Sequence, residues 1–251
     1  MTKDYAIFHF EKPMKLIQIL SGGMDSTTLL YFLKNNHKCE VKTLSVDYGQ
    51  RHSKEIDYAK WHCEKLGVEH RVADLKPISH LLGNESVLMN KDIEVPDGHY
   101  EEPIMKQTVV PNRNMLMIAC ATSWAIAEHY EGVAYGAHAG DHTIYPDCRK
   151  EFADALDKAM RLCNFQKMEL VRPFLDNTKS DIAKLGHELG IDFTKTWSCY
   201  KGLDKQCGKC ATCIERREAF FLAGVTDPTE YEENAPTLDQ LITVNFKFND
   251  N

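Results

Sequence analysis

The sequence predicts an α/β protein built on a doubly wound parallel sheet, with a metal-binding helical appendage towards its C-terminal end. Three observations carry this. Strand and helix patterns alternate from residue 14 to residue 75, a Ser-Gly-Gly turn joins the first strand to the first helix, and four cysteines crowd residues 199–213. Such alternation is the pattern of a parallel sheet covered on both faces.

Residues 14–20, MKLIQIL, form a short apolar run interrupted by Gln18 that stops at Ser21-Gly22-Gly23. This reads as a strand running into a tight turn. In the following STTLLYFLKNN, Leu29, Phe32 and Leu33 fall at i, i+3 and i+4, one helix face. EVKTLSV (40–46) reads as the second strand. SKEIDYAKWHCEKLG gives a second helix with a looser face of Ile56, Ala59, Trp61, Cys63 and Leu66, stopped by Gly67. EHRVADL (69–75) is the third strand. Residues 76–110 show no clean period and hold Pro77, Pro96 and Pro103 beside Glu94, Asp97, Glu101 and Glu102. A stretch this long is either a functional lid or disordered. NMLMIACATSWAIAEH (114–129) is apolar nearly all round, which predicts a buried helix. GVAYGA, the helix Arg149–Leu162 and the strand MELVRPF follow. Thr178-Lys179-Ser180-Asp181 is a capping box that opens a helix to about Leu189, with Gly190 at its end. The chain beyond Thr226 is acidic, and the alternation in LITVNFKF reads as an edge strand or oligomer arm. The expected division is a nucleotide-binding α/β domain over 1–196, a metal-binding segment packed on it over 197–225, and a tail over 226–251.

Composition narrows the function classes. Apolar residues at 43% and charged residues at 27% exclude a disordered chain, a collagen and a small disulfide scaffold. Thirty basic against thirty-seven acidic residues leave a net charge of −7. A protein that grips a nucleic-acid backbone carries the opposite excess, so nucleic acid is not an expected partner. No apolar run approaches the ~18 residues of a membrane span. The opening MTKDYAIFHFEKP lacks an apolar h-region and a cleavage site, so a cytoplasmic chain is expected. There, nine cysteines read as metal ligands or free thiols.

The turn Ser21-Gly22-Gly23-Met24-Asp25-Ser26 lies where glycines let the backbone approach a ligand and a helix N-terminus offers unpaired N–H groups. With the hydroxyls of Ser21, Ser26, Thr27 and Thr28, it predicts a phosphate or pyrophosphate site, a plain capped turn being the alternative. It is not a Walker A loop, because GxxxxGK[ST] is absent. Asp25 could cap the helix or hold magnesium on the phosphates.

Cys199, Cys207, Cys210 and Cys213 give C-x7-C-x2-C-x2-C. Four thiolates in so short a window can close a tetrahedral zinc shell, and four protein ligands leave no open position, so the site reads as structural. Four cysteines also suit an iron–sulfur cluster. The helix that follows carries Arg216 and Arg217 towards the sheet. Most of the scattered cysteines, Cys39, Cys63, Cys120 and Cys163, read as core thiols. Cys148, with no paired base nearby in sequence, reads as a packed thiol rather than a nucleophile.

Ligands of open parallel sheets bind outside the carboxyl ends of the strands. The loops Ser21–Ser26, Asp47–His52 and Gly136–His142 all follow strands. Asp47 and Gln50 could bond a base or ribose, and Arg51 and His52 could meet phosphate. Arg113, in Asn112-Arg113-Asn114, sits at a helix start against the dipole, which suggests an anionic ligand. His138, Asp141 and His142 are further candidates. A carboxylate, either Asp147 or Asp141, would satisfy the N1–H and exocyclic amine of a guanine-like base; Arg149 pairs with the former. Lys179 and Arg172 could add positive charge near pyrophosphate, or Lys179 could be a plain surface lysine.

SGGMDS resembles the SGGxDS motif of the ATP pyrophosphatases, which cleave ATP between its α and β phosphates. Together with DYGQRH (47–52), VPNRN (110–114), YPDCR (145–149) and the cysteine cluster, it resembles the 7-cyano-7-deazaguanine synthase family of queuosine biosynthesis, from about Lys15 to Asp227. The resemblance implies an adenine nucleotide alpha hydrolase-like fold and a carbon–nitrogen ligase. The implied substrates are ATP, ammonia and 7-carboxy-7-deazaguanine, with Mg2+ and a structural Zn2+, in a homodimer. Relatives that stop at the amide, or that transfer sulfur to tRNA, are the alternatives. Carried onto this chain, the nucleotide site is Leu20, Ser21, Gly22, Gly23, Met24, Asp25, Ser26, Thr27, Thr28, Leu29 and Leu30, with Asp47, Gln50 and Arg51. The substrate set is Asn112, Arg113, His138, Asp141, Asp147 and Arg149. The catalytic set is Asp25, Arg113, Lys179 and Arg216.

Overall fold

The structure is a computed structural model that describes residues 13–83 and 85–247; the opening segment and Phe248 onwards lie outside the described residues. Its strands are β1 (Lys15–Ile19), β2 (Glu40–Asp47), β3 (His70–Asp74), β4 (Gly132–Ala134) and β5 (Glu169–Val171). They form one parallel sheet in the order β3-β2-β1-β4-β5. The α-helices among the described residues are α1 (Met24–Tyr31), α2 (Glu55–Leu66), α3 (Arg113–Ala127), α4 (Lys150–Leu162), α5 (Lys179–Glu188), α6 (Ala211–Leu222) and α7 (Leu238–Thr243).

The apolar residues of β1 are divided between two cores. Ile17 and Ile19 pack with Leu44 and Val46 of β2 against Ile118, Ala121 and Ala125 of α3 and Ala153 and Met160 of α4. Leu16 and Leu20 pack on the other face with Leu29 and Leu30 of α1, Ala59 and Cys63 of α2 and Ile182 and Leu185 of α5. Each such side chain contributes roughly 1.5–3 kcal/mol by leaving water. Outside α1 and α5 lies α6, with Phe220 against Met24, Ala183 and Phe193. Gln18, the polar break in the first apolar run, is buried and donates from Nε2 to the carbonyl of Ser26 at 2.7 Å. It ties the sheet to the glycine turn.

Several expectations need correction. The helix α3 is buried on one side only: Ile118 and Ala121 are enclosed while Met115 is 41% exposed, because the sheet covers one face. The stretch 76–110 is neither loose nor regular. Short helical turns at Lys76–Leu82 and Pro103–Thr108 fold it down, and Val87, Leu88, Val95 and Met105 are buried. LITVNFKF is not an edge strand. Thr237 and Gln240 form a capping box that starts α7, and positive φ at Asn245 (52°) and Phe246 (57°) ends it. Leu241 and Phe246 then bury against Ile214 of α6. A capping box fixes several backbone groups and overrides a weak period-two pattern. Of the scattered cysteines, Cys39, Cys63 and Cys148 are buried, but Cys163 is exposed and so not a core thiol.

Candidate active site

The strand order reverses between β1 and β4, and the loops leaving their carboxyl ends part there to open a cavity. Its floor is Leu20, Ser21, Gly23, Met24, Asp25 and Ser26. The N-terminus of α1 has no side-chain cap, so its first-turn N–H groups remain for a ligand. The turn is held by its own hydroxyls: Ser21 Oγ lies 3.0 Å from Ser26 Oγ and accepts from Gly23 N–H at 3.2 Å. Gly22 has φ +87°, and a Cβ there would meet the carbonyl oxygen of Glu55 at 2.1 Å. The turn therefore lies directly on α2, and only glycine fits.

One half of the cavity is an ionic cluster. Lys179 Nζ is 3.3 Å from Asp25 Oδ2 and 2.6 Å from Glu215 Oε2. Burial works to raise the Asp25 carboxyl, but Lys179 and His138 outweigh it and hold it below the ordinary carboxylate value. Burial opposes charge on Lys179, yet Asp25 and Glu215 hold the ammonium firmly protonated. Lys179 is therefore no surface lysine. His138 is 1% exposed, with Nε2 3.9 Å from Asp25, 3.7 Å from Asp141 and 3.9 Å from Glu215.

The other half is aromatic around one cation. Arg113 is half-buried; its Nη1 reaches Tyr48 Oη only at 3.4 Å, and its Nε is buried with no hydrogen-bond partner. Tyr145 Oη bridges Thr108 Oγ1 (2.8 Å) and Tyr200 Oη (3.1 Å). His52 packs on Tyr200 at a ring distance of 5.2 Å, and burial followed by Arg113 pushes its imidazole down to about 3. Burial pushes the Glu55 carboxyl up to about 8. Burial also raises the Cys148 thiol, which accepts from Asn114 Nδ2 at 3.1 Å, so the thiol is inert.

Of the residues expected from sequence, Leu20, Ser21, Gly23, Met24, Asp25, Ser26, His52, Arg113, Asp141 and Lys179 line the cavity, and His138 lies behind Asp25. The others are placed differently. Gly22 faces α2, and its carbonyl accepts from Trp197 N–H at 3.0 Å. Thr27, Thr28, Leu29 and Leu30 lie in the interior of α1, the two leucines in the core. Asp47 takes Lys76 Nζ at 2.9 Å. Gln50 is spent bracing its own loop through Tyr48 N–H, the Val46 carbonyl and Glu55. Arg51 holds the 76–110 stretch through the carbonyls of Asn90 (2.5 Å) and Ile93 (2.7 Å). Asn112 is the left-handed residue (φ 57°) ahead of α3. Asp147 accepts from Asn114 N–H at 2.9 Å, and Arg149 is exposed at the start of α4. Arg172 pairs with Asp154. The side chain of His142 lies outside the described residues. Arg216 is a correction of a different kind. It is fully buried away from the cavity, held by Asp227, by Thr196 Oγ1 (2.7 Å) and by the Phe193 carbonyl (3.1 Å). Its charge is satisfied inside the fold.

Sequence reasoning missed Glu55 and Glu215. The first sits in an ordinary helix start, and the second is one carboxylate on a charged helix. Only spacing from DYGQRH and from Cys213 could have drawn attention to them.

The sulfurs of Cys199, Cys207, Cys210 and Cys213 lie within 4.8 Å of one another, and those of Cys207 and Cys213 are 3.9 Å apart. A tetrahedral zinc with bonds of about 2.3 Å sets sulfurs about 3.8 Å apart, so the residues fit one such ion. A cluster with several irons would spread them wider. Backbone N–H groups of Cys207, Lys209 and Cys210 point at these sulfurs at 3.2–3.4 Å, which suits thiolates. The four buried cysteines could therefore hold a metal such as zinc. Trp197 links this segment to the glycine turn through the Gly22 carbonyl, and α6 extends from it to deliver Glu215 to Lys179.

A five-stranded parallel sheet with the glycine turn at its switch point defines an α/β protein of the adenine nucleotide alpha hydrolase-like class. The NMN synthetase of Francisella tularensis shares the fold, with a TM-score of 0.50 at 14% identity over 93% of this chain and 83% of that one. Residues 15–224 match the family described as queuosine biosynthesis protein QueC, and the chain belongs to that family. It is 52% identical to the 7-cyano-7-deazaguanine synthase of Caldicellulosiruptor saccharolyticus over 87% of this chain and 96% of that one. It is 48% identical to the enzyme of that name from Pseudoalteromonas translucida, over 87% and 99%.

Proposed function

We propose that this chain is an ATP-dependent ligase that turns 7-carboxy-7-deazaguanine and ammonia into 7-cyano-7-deazaguanine for queuosine biosynthesis. The observation that carries it is the uncapped N-terminus of α1 beside the half-buried, ion-paired Lys179, at the reversal of strand order. Backbone N–H groups and a fixed ammonium there suit a polyphosphate.

A carboxylate does not yield its oxygen to ammonia. Attack of a carboxylate oxygen on the α-phosphate forms an acyl adenylate and releases pyrophosphate. Ammonia then displaces AMP to give the amide, the amide oxygen attacks the α-phosphate of a second ATP with release of a second pyrophosphate, and loss of AMP and of both amide protons leaves the nitrile. The protein's part is placement and charge. The Ser21–Ser26 turn and Lys179 hold the phosphates, Glu215 and Asp25 keep Lys179 aimed, and Arg113 supplies the cation of the aromatic half. Asp25 Oδ1 is buried without a hydrogen-bond partner, so Asp25 fits a hard cation. Mg2+ there would neutralise phosphate charge. The cysteine site would carry Zn2+ as a structural ion. The same reading has a cytoplasmic homodimer, with the nucleotide domain over 1–196, the zinc segment over 197–225 and the tail over 226–251. The buried Cys148, with a raised thiol pKa, does not suit a sulfur-transfer alternative.

To test it, the protein is incubated with ATP, ammonia and the 7-carboxy compound. AMP, pyrophosphate and a product of nitrile mass are expected. ADP with inorganic phosphate, or arrest at the amide, refutes the reading.

A further inference from the structure

We propose that Glu55 and Arg113 together read the pyrimidine-ring edge of the deazaguanine, Arg113 donating to O6 while the Glu55 carboxylate accepts from N1–H and the exocyclic amine. This deepens the ligase reading above and rests on it. Both residues line the cavity and both are half-buried. Arg113 has a buried Nε without a partner and one long contact to Tyr48. Glu55 receives Gln50 Nε2 at 3.3 Å, while His52 Nε2 stands off at 3.6 Å. A guanidinium nitrogen buried without a partner, and a carboxyl largely withdrawn from water with one long hydrogen bond, are costly unless a ligand completes them.

Guanine-type bases present acceptor, donor, donor along that edge, which matches a guanidinium beside a carboxylate. Adenine presents a donor and an acceptor in the opposite order, so the adenine of ATP is rejected here. The competing carboxylates are placed elsewhere. Asp147 accepts the backbone N–H of Asn114 at 2.9 Å and does not line the cavity, and Asp141 lies in the ionic half, where it accepts from His138 N–H at 3.3 Å. Tyr145 and Tyr200, linked through their hydroxyls, give the same half an aromatic wall for a flat ring. Burial holds the empty Glu55 carboxyl protonated near neutrality, and two parallel N–H donors would shift it to the anion that Arg113 also favours.

The test is equilibrium binding of 7-carboxy-7-deazaguanine and of the analogue lacking the 2-amino group, to the native protein and to Glu55→Gln, with turnover of ATP measured alongside. The native protein is expected to prefer the guanine-type ligand by about a hundredfold, the worth of one hydrogen bond to a carboxylate. Glu55→Gln, with its melting temperature checked, should lose most of that preference while the KM for ATP holds. Equal binding of the two ligands by the native protein overturns the assignment without any variant. So does a Glu55→Gln protein that keeps the preference. If the native protein neither binds nor converts the 7-carboxy compound, the ligase reading falls as well.

Discussion

Replacing Asp227 by asparagine tests whether Arg216 acts as a buried strut. Arg216 is 0% exposed and lies over the Phe220 ring at 5.0 Å. Asp227 Oδ1 accepts from its Nε at 3.2 Å and from its Nη2 at 3.1 Å, and no other carboxylate contacts the guanidinium among the described residues. Burial would raise the Asp227 carboxyl, but Arg216 holds it below its ordinary value, so the pair is ionised. Asp227→Asn keeps the shape and leaves the charge uncompensated, which costs about 3–5 kcal/mol. At roughly 2–4 °C per kcal/mol for a chain of this size, the melting temperature should fall by about 6–20 °C. Removing both charges with Arg216→Met and Asp227→Leu should recover most of that loss. Calorimetry reads the three proteins. Well below the transition, Asp227→Asn should keep kcat within about twofold, since neither residue lines the cavity. A shift under about 2 °C, or a double variant no better than the single, would refute the strut. Full stability with lost kcat would restore Arg216 to the catalytic set.

Three further outcomes are expected. Stripping metal from the cysteine site, verified by elemental analysis, should lower the melting temperature and ATP affinity together, because α6 brings Glu215 to Lys179; a metal-free protein with both intact contradicts this. Gly22→Ala should destabilise by well over 1 kcal/mol and weaken ATP binding, whereas Gly190→Ala, at φ +72° in open space, should cost only about 1 kcal/mol; equal costs would count against the close approach to α2. For pH, Glu55 has a folded value near 8 against an ordinary 4.5, so its proton-linked stability is present below 4.5 and lost as pH rises through 8. His52, at about 3 against 6.5, loses stability in the opposite sense, as pH falls below 6.5. Urea unfolding of Glu55→Gln should therefore lack the decline of the native protein between pH 5 and 8, at up to about 1.4 kcal/mol per unit; parallel curves would dismiss it.

Much of the molecule was legible locally. The strands, the glycine turn, the capping box at Thr178 and the cysteine spacing each depend on residues within a few positions of one another. Period, turn chemistry and ligand spacing are short-range properties that a chain carries before it folds. The family resemblance extended this to fold and reaction. What escaped were the roles that depend on partners far along the chain. Gln50 and Arg51 have the polarity of ligand-binding residues, but Gln50 braces its own loop and the 76–110 stretch takes the Nη2 of Arg51. Arg216 resembles a catalytic cation until Asp227 is found beside it. Glu55 and Glu215 are ordinary surface letters until the fold brings Glu55 into the cavity wall with Arg113 and Glu215 against Lys179. Burial and pairing set the energy of a charge, and both arise only when distant segments meet, so no local pattern could have revealed them.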